Sequence, residues 1–122
     1  MSKNQIFFIE DEPQLLESIA QFLRDQGYQV DAFLNAELAL KLLQTKIPDL
    51  VLADIKLPGI DGFEFFQEMK KNPAWANIPV IFITAFNDMK AMRAAKSIGI
   101  ADYLTKPFDL DDLISRIQKF LA

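Results

Sequence analysis

The sequence predicts an α/β fold: a five-stranded parallel sheet in doubly wound (βα)5 order, covered on both faces by helices. Three observations carry this. Short apolar runs alternate five times with amphipathic stretches of helical spacing. The connections are short, which together with strict alternation implies right-handed crossovers and parallel strands. The first, third and fourth runs are near-continuously apolar, as strands buried on both faces are. With 122 residues the chain has the length of one domain. No linker, low-complexity tract or repeat beyond the strand–helix rhythm interrupts it.

Each element has a local reason. Gln5–Ile9 is a buried-strand pattern. From Pro13 to Gln26 the residues Leu15, Leu16, Ile19, Phe22 and Leu23 fall on one helical face; Pro13 suits the first turn and Gly27 the end. Tyr28–Phe33 alternates as a second strand. Asn35 is expected to cap a helix with Leu38, Ala39, Leu42 and Leu43 on its apolar face, and Pro48 to stop it. Leu50–Ala53 is the third strand, ending at Asp54. Asp61 and Glu64 form a capping-box pattern opening a helix from Gly62 to about Lys71. Residues 72–79 hold two prolines and read as a loop. Val80–Ile83 is the fourth strand, ending at Thr84. Asn87 or Asp88 caps a helix to Ser97 with a weak apolar face of Met89, Met92, Ala95 and Ile98, closed by Gly99. Ala101–Leu104 is the fifth strand, ending near Lys106–Pro107. Asp109 is expected to cap a last helix carrying Leu110, Leu113, Ile114, Ile117 and Leu121.

Composition excludes several chemistries. The chain has no cysteine and no histidine, which removes disulfide frameworks, thiolate zinc sites, cysteine nucleophiles and histidine bases. A net charge of −4 disfavours direct nucleic-acid binding, which rests on basic surface. The apolar run Ile6–Ile9 is far shorter than the roughly 7–15 residues of a secretory signal or the roughly 18 of a membrane helix. The expectation is a cytoplasmic domain that does not engage a membrane.

In an open parallel sheet, sites form beyond the carboxyl ends of the strands. There the sequence places Glu10, Asp11 and Glu12 after strand one, Asp54 after strand three, Thr84 and Ala85 after strand four, and Lys106 after strand five. Carboxylates gathered in one pocket repel; either one holds a proton or a cation binds. An all-oxygen donor set with few protein ligands favours Mg2+ or Mn2+. Asp54 directly follows a buried apolar strand, where a charge is costly without a function. It can act as a nucleophile toward a phosphoryl group, forming an acyl phosphate, with a cation and Lys106 offsetting the charge and Thr84 donating to a phosphoryl oxygen.

These residues resemble the receiver domain of two-component response regulators. The resemblance is carried by Ile9-Glu10-Asp11-Glu12-Pro13, Asp49–Asp54, Leu57-Pro58-Gly59-Ile60-Asp61-Gly62, Ile83-Thr84-Ala85 and Tyr103-Leu104-Thr105-Lys106-Pro107-Phe108, in the family's order and spacing across essentially the whole chain. It implies a flavodoxin-like three-layer sandwich, a single receiver domain over residues 1–122 and no output domain in this chain. It makes Asp54 the phosphoacceptor. Asp11 and Asp54 become Mg2+ ligands with the backbone carbonyl of Lys56, and Glu10 acts through bound water. Thr84, Ala85 and Lys106 become the phosphate-binding set, Thr84 and Tyr103 the switch pair, and Lys106–Pro107 a cis peptide. Implied partners are a sensor histidine kinase or histidine phosphotransfer protein and a downstream output domain or protein. Pairing of two copies through helix four, strand five and helix five is a further implication. The resemblance also implies a signalling phosphoacceptor that catalyses only its own phosphoryl transfer and dephosphorylation.

Small departures stand out: Glu10 where aspartate is commonest, charged Lys56 two residues past Asp54, and bulky Phe86 two past Thr84. The alternatives are weaker. A phosphatase with an aspartyl-phosphate intermediate needs an acid/base carboxylate at position 56, where Lys56 stands. A flavin or nucleotide carrier needs a Gly/Ser-rich phosphate loop where Glu10–Glu12 would repel phosphate. A receiver-like interaction module working without phosphorylation has no use for the intact set Glu10, Asp11, Asp54, Thr84 and Lys106. Trp75 is read as packing over the loop before strand four, Asp61-Gly62 as a turn and helix start, and Phe63, Phe65 and Phe66 as divided between core and surface.

Overall fold

A computed structural model describes residues 4–85 and 88–121. Five strands, β1 (Gln5–Ile9), β2 (Gln29–Phe33), β3 (Leu50–Asp54), β4 (Val80–Ala85) and β5 (Asp102–Lys106), alternate with α1 (Pro13–Asp25), α2 (Ala36–Leu43), α3 (Gly62–Lys71), α4 (Met89–Ser97) and α5 (Leu110–Phe120). The sheet is parallel throughout, in the order β2-β1-β3-β4-β5. The order reverses between β1 and β3, and the crevice outside their carboxyl ends is where open sheets of this type place ligands.

Alternate side chains leave opposite faces of each strand, so the apolar runs build two cores. Phe7, Ile9, Val51, Ala53 and Phe82 meet the helices α2, α3 and α4 on one face. Ile6, Phe8, Leu50, Leu52, Ile81 and Ile83 meet α1 and α5 on the other. The result is the three-layer sandwich. On the first face Phe82 is the aromatic centre, with the rings of Phe63 and Phe66 5.3 and 6.0 Å away, both edge-on, the arrangement ring quadrupoles favour. Phe65 and Phe66 are buried and Phe63 is half-buried, and Trp75 packs into the same core before β4.

The caps follow the sequence in three of four cases. Asn35 accepts from the Leu38 amide at 2.9 Å, Asp61 and Glu64 complete a reciprocal capping box, and Asp88 accepts from the Ala91 amide at 3.0 Å. Gly27 and Gly99 close α1 and α4 with φ of 101° and 80°, a conformation that costs glycine little.

Some expectations are corrected. Asp109 stands at the start of α5 but makes no capping hydrogen bond. Pro48 does not stop α2, which ends at Leu43 in a turn whose amides reach back to the Leu42 and Lys41 carbonyls. β4 and β5 end at Ala85 and Lys106, and β5 starts at Asp102, one residue later than its apolar run, because the ladder between them pairs from Ile81 and Asp102 to Ala85 and Lys106. The apolar face of α4 is smaller than its spacing suggests: Ala91 and Ala95 are its buried residues, while Met89 and Ile98 are exposed. Leu110 is also exposed. Phe86 and Asn87 lie outside the described residues. Among the described residues no helix is long and apolar enough to cross a membrane.

Candidate functional site

Strand register gathers the predicted residues at one edge. Asp54 pairs with Ile83 on β4, so Thr84 lies one step beyond it; Thr84 in turn faces Thr105, and Ala85 faces Lys106 on β5. Glu10 continues β1, its amide donating to the Phe33 carbonyl at 3.0 Å. Lys106 starts two strands from Asp54 and three from Glu10, with neighbouring strands about 4.8 Å apart. Its long stem lets one ammonium reach back to both.

That ammonium organises the site. Lys106 Nζ donates to Asp54 Oδ2 and to Glu10 Oε1, each at 2.8 Å. Glu10 Oε2 accepts from the Glu12 amide at 3.1 Å, and Asp54 Oδ1 from the Lys56 amide at 3.2 Å. Glu10, Asp54 and Thr84 are the buried polar residues here, at 1%, 8% and 2% exposure, whereas Asp11 is exposed. Glu10, Asp11 and Asp54 each offer an oxygen within 4.8 Å of the others.

Burial pushes the Glu10 carboxyl above its ordinary value and the Asp54 charge adds to this, against the opposing pull of Lys106 and the Glu12 amide. Burial pushes Lys106 down, but its hydrogen bonds to Asp54 and Glu10 and their charges outweigh this and raise it, so the ammonium stays charged at neutral pH. Three close carboxylates against one ammonium leave an excess of negative charge, and the donors are all oxygen. That chemistry fits a divalent hard cation.

The remaining predicted residues take distinct places. Tyr103 is half-buried on β5 against the α2–α3–α4 core, with Lys96 Nζ 5.4 Å from its ring centre. It lies three residues before Lys106, away from the carboxylates. The Lys106–Pro107 peptide is cis. Lys56 points its ammonium outward to Asp88 Oδ2 at 3.2 Å. A cleft of about 600 Å³ opens beside the carboxylates, with Asp11, Lys56, Asp61, Asp88 and Ala91 among its lining.

Two contributors were not legible in the sequence. A Cβ on Gly62 would stand 2.8 Å from both the Asp54 carbonyl oxygen and Ile55 Cα, so α3 can sit this close to the strand end only with glycine there. The Asp-Gly pair announces a helix start; it does not announce what the helix start touches. The Lys56–Asp88 pair joins two loops 32 positions apart, with no spacing rule to reveal it.

The comparisons agree with this geometry. The response regulator receiver domain family matches residues 6–118. The transcriptional regulatory protein CrdR of Helicobacter pylori is 39% identical over 118 residues, covering 97% of this chain and 55% of that protein. The sporulation initiation phosphotransferase F of Bacillus subtilis is 31% identical over 121 residues, covering 99% of this chain and 96% of that one. The crystal structure of the response regulator protein TrrA from Thermotoga maritima, in complex with Mg(2+)-BeF, superposes with a TM-score of 0.83 at 30% identity, over 96% of this chain and 98% of that one. The chain thus spans about half the length of curated relatives such as CrdR and nearly all of others. With the family matched over nearly its whole length and the acidic cluster, threonine and lysine on consecutive strand ends, the chain belongs to the response regulator receiver domain family.

Proposed function

We propose that this receiver accepts a phosphoryl group on Asp54 from the phosphohistidine of a sensor histidine kinase or histidine phosphotransfer protein. The observation that carries the proposal is the Lys106 ammonium held at 2.8 Å from both Asp54 and Glu10 at the edge where Asp11 and Thr84 also stand. An Asp54 carboxylate oxygen attacks phosphorus, a P–O bond forms, the donor's P–N bond breaks, and the imidazole leaves with its electron pair and takes up a proton. Lys106 then pairs with phosphoryl oxygens in place of the carboxylate. The Thr84 hydroxyl and the Ala85 amide donate to other phosphoryl oxygens. Asp11, Asp54, the Lys56 carbonyl and, through water, Glu10 would hold a Mg2+ ion, which when bound offsets charge on the attacking carboxylate and the incoming group.

The domain is a signalling phosphoacceptor rather than an enzyme for an external small molecule. In this reading it catalyses its own phosphorylation and dephosphorylation, works in the cytoplasm, and presents a changed α4–β5–α5 surface to an output domain, a partner protein or a second copy. It binds neither nucleic acid nor membrane itself. Acetyl phosphate with Mg2+ should add one acid-stable, base-labile phosphoryl group, and Asp54→Asn should abolish it. Stoichiometric labelling that persists in Asp54→Asn would remove the proposal.

A further inference from the structure

Asp88 joins two elements with its two carboxylate oxygens. Oδ1 accepts from the Ala91 amide at 3.0 Å and caps α4; Oδ2 lies 3.2 Å from Lys56 Nζ. Lys56 belongs to the loop leaving β3, and its own amide donates to Asp54 Oδ1 at 3.2 Å. One short path therefore runs from the Asp54 carboxylate through Lys56 and Asp88 to the first turn of α4. The two ends of the ion pair differ in freedom: the Asp88 side chain is 19% exposed and that of Lys56 77%. Asp88 is the fixed end, and Lys56 the end that can turn.

The rest of α4 is lightly held. Its buried residues are two alanines, Ala91 and Ala95, which remove little apolar area from water. A tether at its N-terminus therefore carries more weight here than on a helix seated by large side chains.

We infer that Asp88 is a positioning residue of the switch: its ion pair with Lys56 latches the N-terminus of α4 to the phosphoacceptor loop, and a phosphoryl group on Asp54 draws Lys56 off and releases it. This rests on the reading of Asp54 as phosphoacceptor. A phosphoryl group brings close to two negative charges to the residue two positions before Lys56. The exposed ammonium then has a stronger anion than Asp88 within its own loop. Asp88 keeps its hydrogen bond to Ala91 and loses its counter-charge, so α4 stays capped while its link to β3 is cut.

A double-mutant cycle read by amide exchange in Met89–Met92 tests this. Asp88→Asn keeps an acceptor for the cap and removes the charge; Lys56→Gln removes the other partner. In the unphosphorylated protein at low salt, each variant should speed exchange about two- to five-fold, the range set by exposed ion pairs. The double variant should be no faster than either single one. The difference should vanish near 1 M salt, where exposed charges are screened, whereas the loss caused by Asp88→Ala, which also deletes the cap, should persist. Phosphorylation should speed the same amides in the wild type and add little in Asp88→Asn. Additive single effects, insensitivity to salt, or an undiminished phosphorylation response in Asp88→Asn would each overturn the latch while leaving Asp54 as the phosphoacceptor. Labelling found elsewhere than on Asp54 would overturn both.

Discussion

Lys106 Nζ lies 2.8 Å from Asp54 Oδ2, although 52 positions separate the two residues in the sequence. The contact depends on the parallel order of the sheet, which sets β5 two strands from β3 with Leu104 level with Asp54 through Ile83, so that Lys106, two residues further on, reaches back. The same ammonium meets Glu10 at 2.8 Å. One cation thus offsets two carboxylates that would otherwise face each other in a largely buried site.

Replacing Lys106 by methionine should expose that balance. Apolar packing of the stem is kept, but Glu10 and Asp54 lose their counter-charge. Breaking a buried pair costs several kcal/mol; since Lys106 is 30% exposed, the expected loss is smaller, about 1–3 kcal/mol in urea unfolding with chelator present. A divalent cation should restore more stability in Lys106→Met than in the wild type. An unchanged cation response would mean that the carboxylates are not the group Lys106 neutralises.

Asp11 should matter to the cation and little to the fold. It is exposed, so Asp11→Ala should leave chelator-treated stability unchanged or slightly raised by relief of repulsion. A ligand bound only by the folded state stabilises by about 1.4 kcal/mol at ten times its Kd. Most of this Mg2+-dependent rise in Tm should disappear in Asp11→Ala, together with most of the phosphorylation by acetyl phosphate. An undiminished rise would remove Asp11 from the ligand set.

Glu10 gives a pH test. Its carboxyl is raised by burial, so it binds its proton more tightly in the folded state than in the unfolded one. Its contribution is most favourable below the ordinary glutamate value of about 4.3 and declines as pH rises through the raised value. Lys106 is also raised, but its contribution is complete below the ordinary lysine value and is lost in alkali, outside this window. In chelator, the stability of the wild type minus that of Glu10→Gln should therefore fall as pH increases from about 4 toward neutrality. A difference that is flat or rises with pH would contradict the burial argument.

Much of the fold was legible because its signals are local. The uniform apolar runs at Ile6–Ile9, Leu50–Ala53 and Val80–Ile83 are buried on both faces of the sheet, as such runs must be. The Asp61–Glu64 box and the glycines at 27 and 99 punctuate helices by chemistry contained within a few residues. The site was legible one step later, since the order of strands and helices alone brings residues 10, 54, 84 and 106 to one edge. What failed depends on tertiary context. Met89 and Ile98 lie on the spacing of a buried face, yet α4 meets the sheet through its alanines. Asp109 has the right residue type for a cap but makes no capping bond. Gly62 and the Lys56–Asp88 pair depend on how closely separate segments approach, which spacing along one segment does not encode.

Gly62 supplies a packing prediction tied to the site. Alanine is the better helix former by up to about 1 kcal/mol, so propensity alone favours Gly62→Ala. The added Cβ would stand 2.8 Å from the Asp54 carbonyl oxygen and from Ile55 Cα, backbone atoms that cannot rotate away. The clash should win, with a loss of about 1–3 kcal/mol in urea unfolding and slower phosphorylation of Asp54 as the strand end shifts. A gain in stability with normal phosphorylation would show that α3 slides without disturbing the acceptor.

The last prediction concerns how the phosphoryl group is felt at a distance. Thr84 is 2% exposed and lies one residue beyond the register partner of Asp54. Tyr103 pairs with Phe82 on the same β4 strand, and its ring carries Lys96 of α4 at 5.4 Å. A hydroxyl drawn toward a phosphoryl group on Asp54 vacates space on the strand that both Tyr103 and α4 pack against. Because α4 buries only small side chains among its described residues, it should be the element that repacks at least cost. Phosphorylation should then alter amide exchange in Arg93–Ser97, beyond the first turn that the Lys56–Asp88 pair holds, and in Asp102–Lys106. Thr84→Ala should still accept phosphate, because Asp54 and Lys106 are untouched, but should show a markedly smaller change in both segments. A change confined to the residues around Asp54, or one equally large in Thr84→Ala, would mean that the signal leaves the site by another surface.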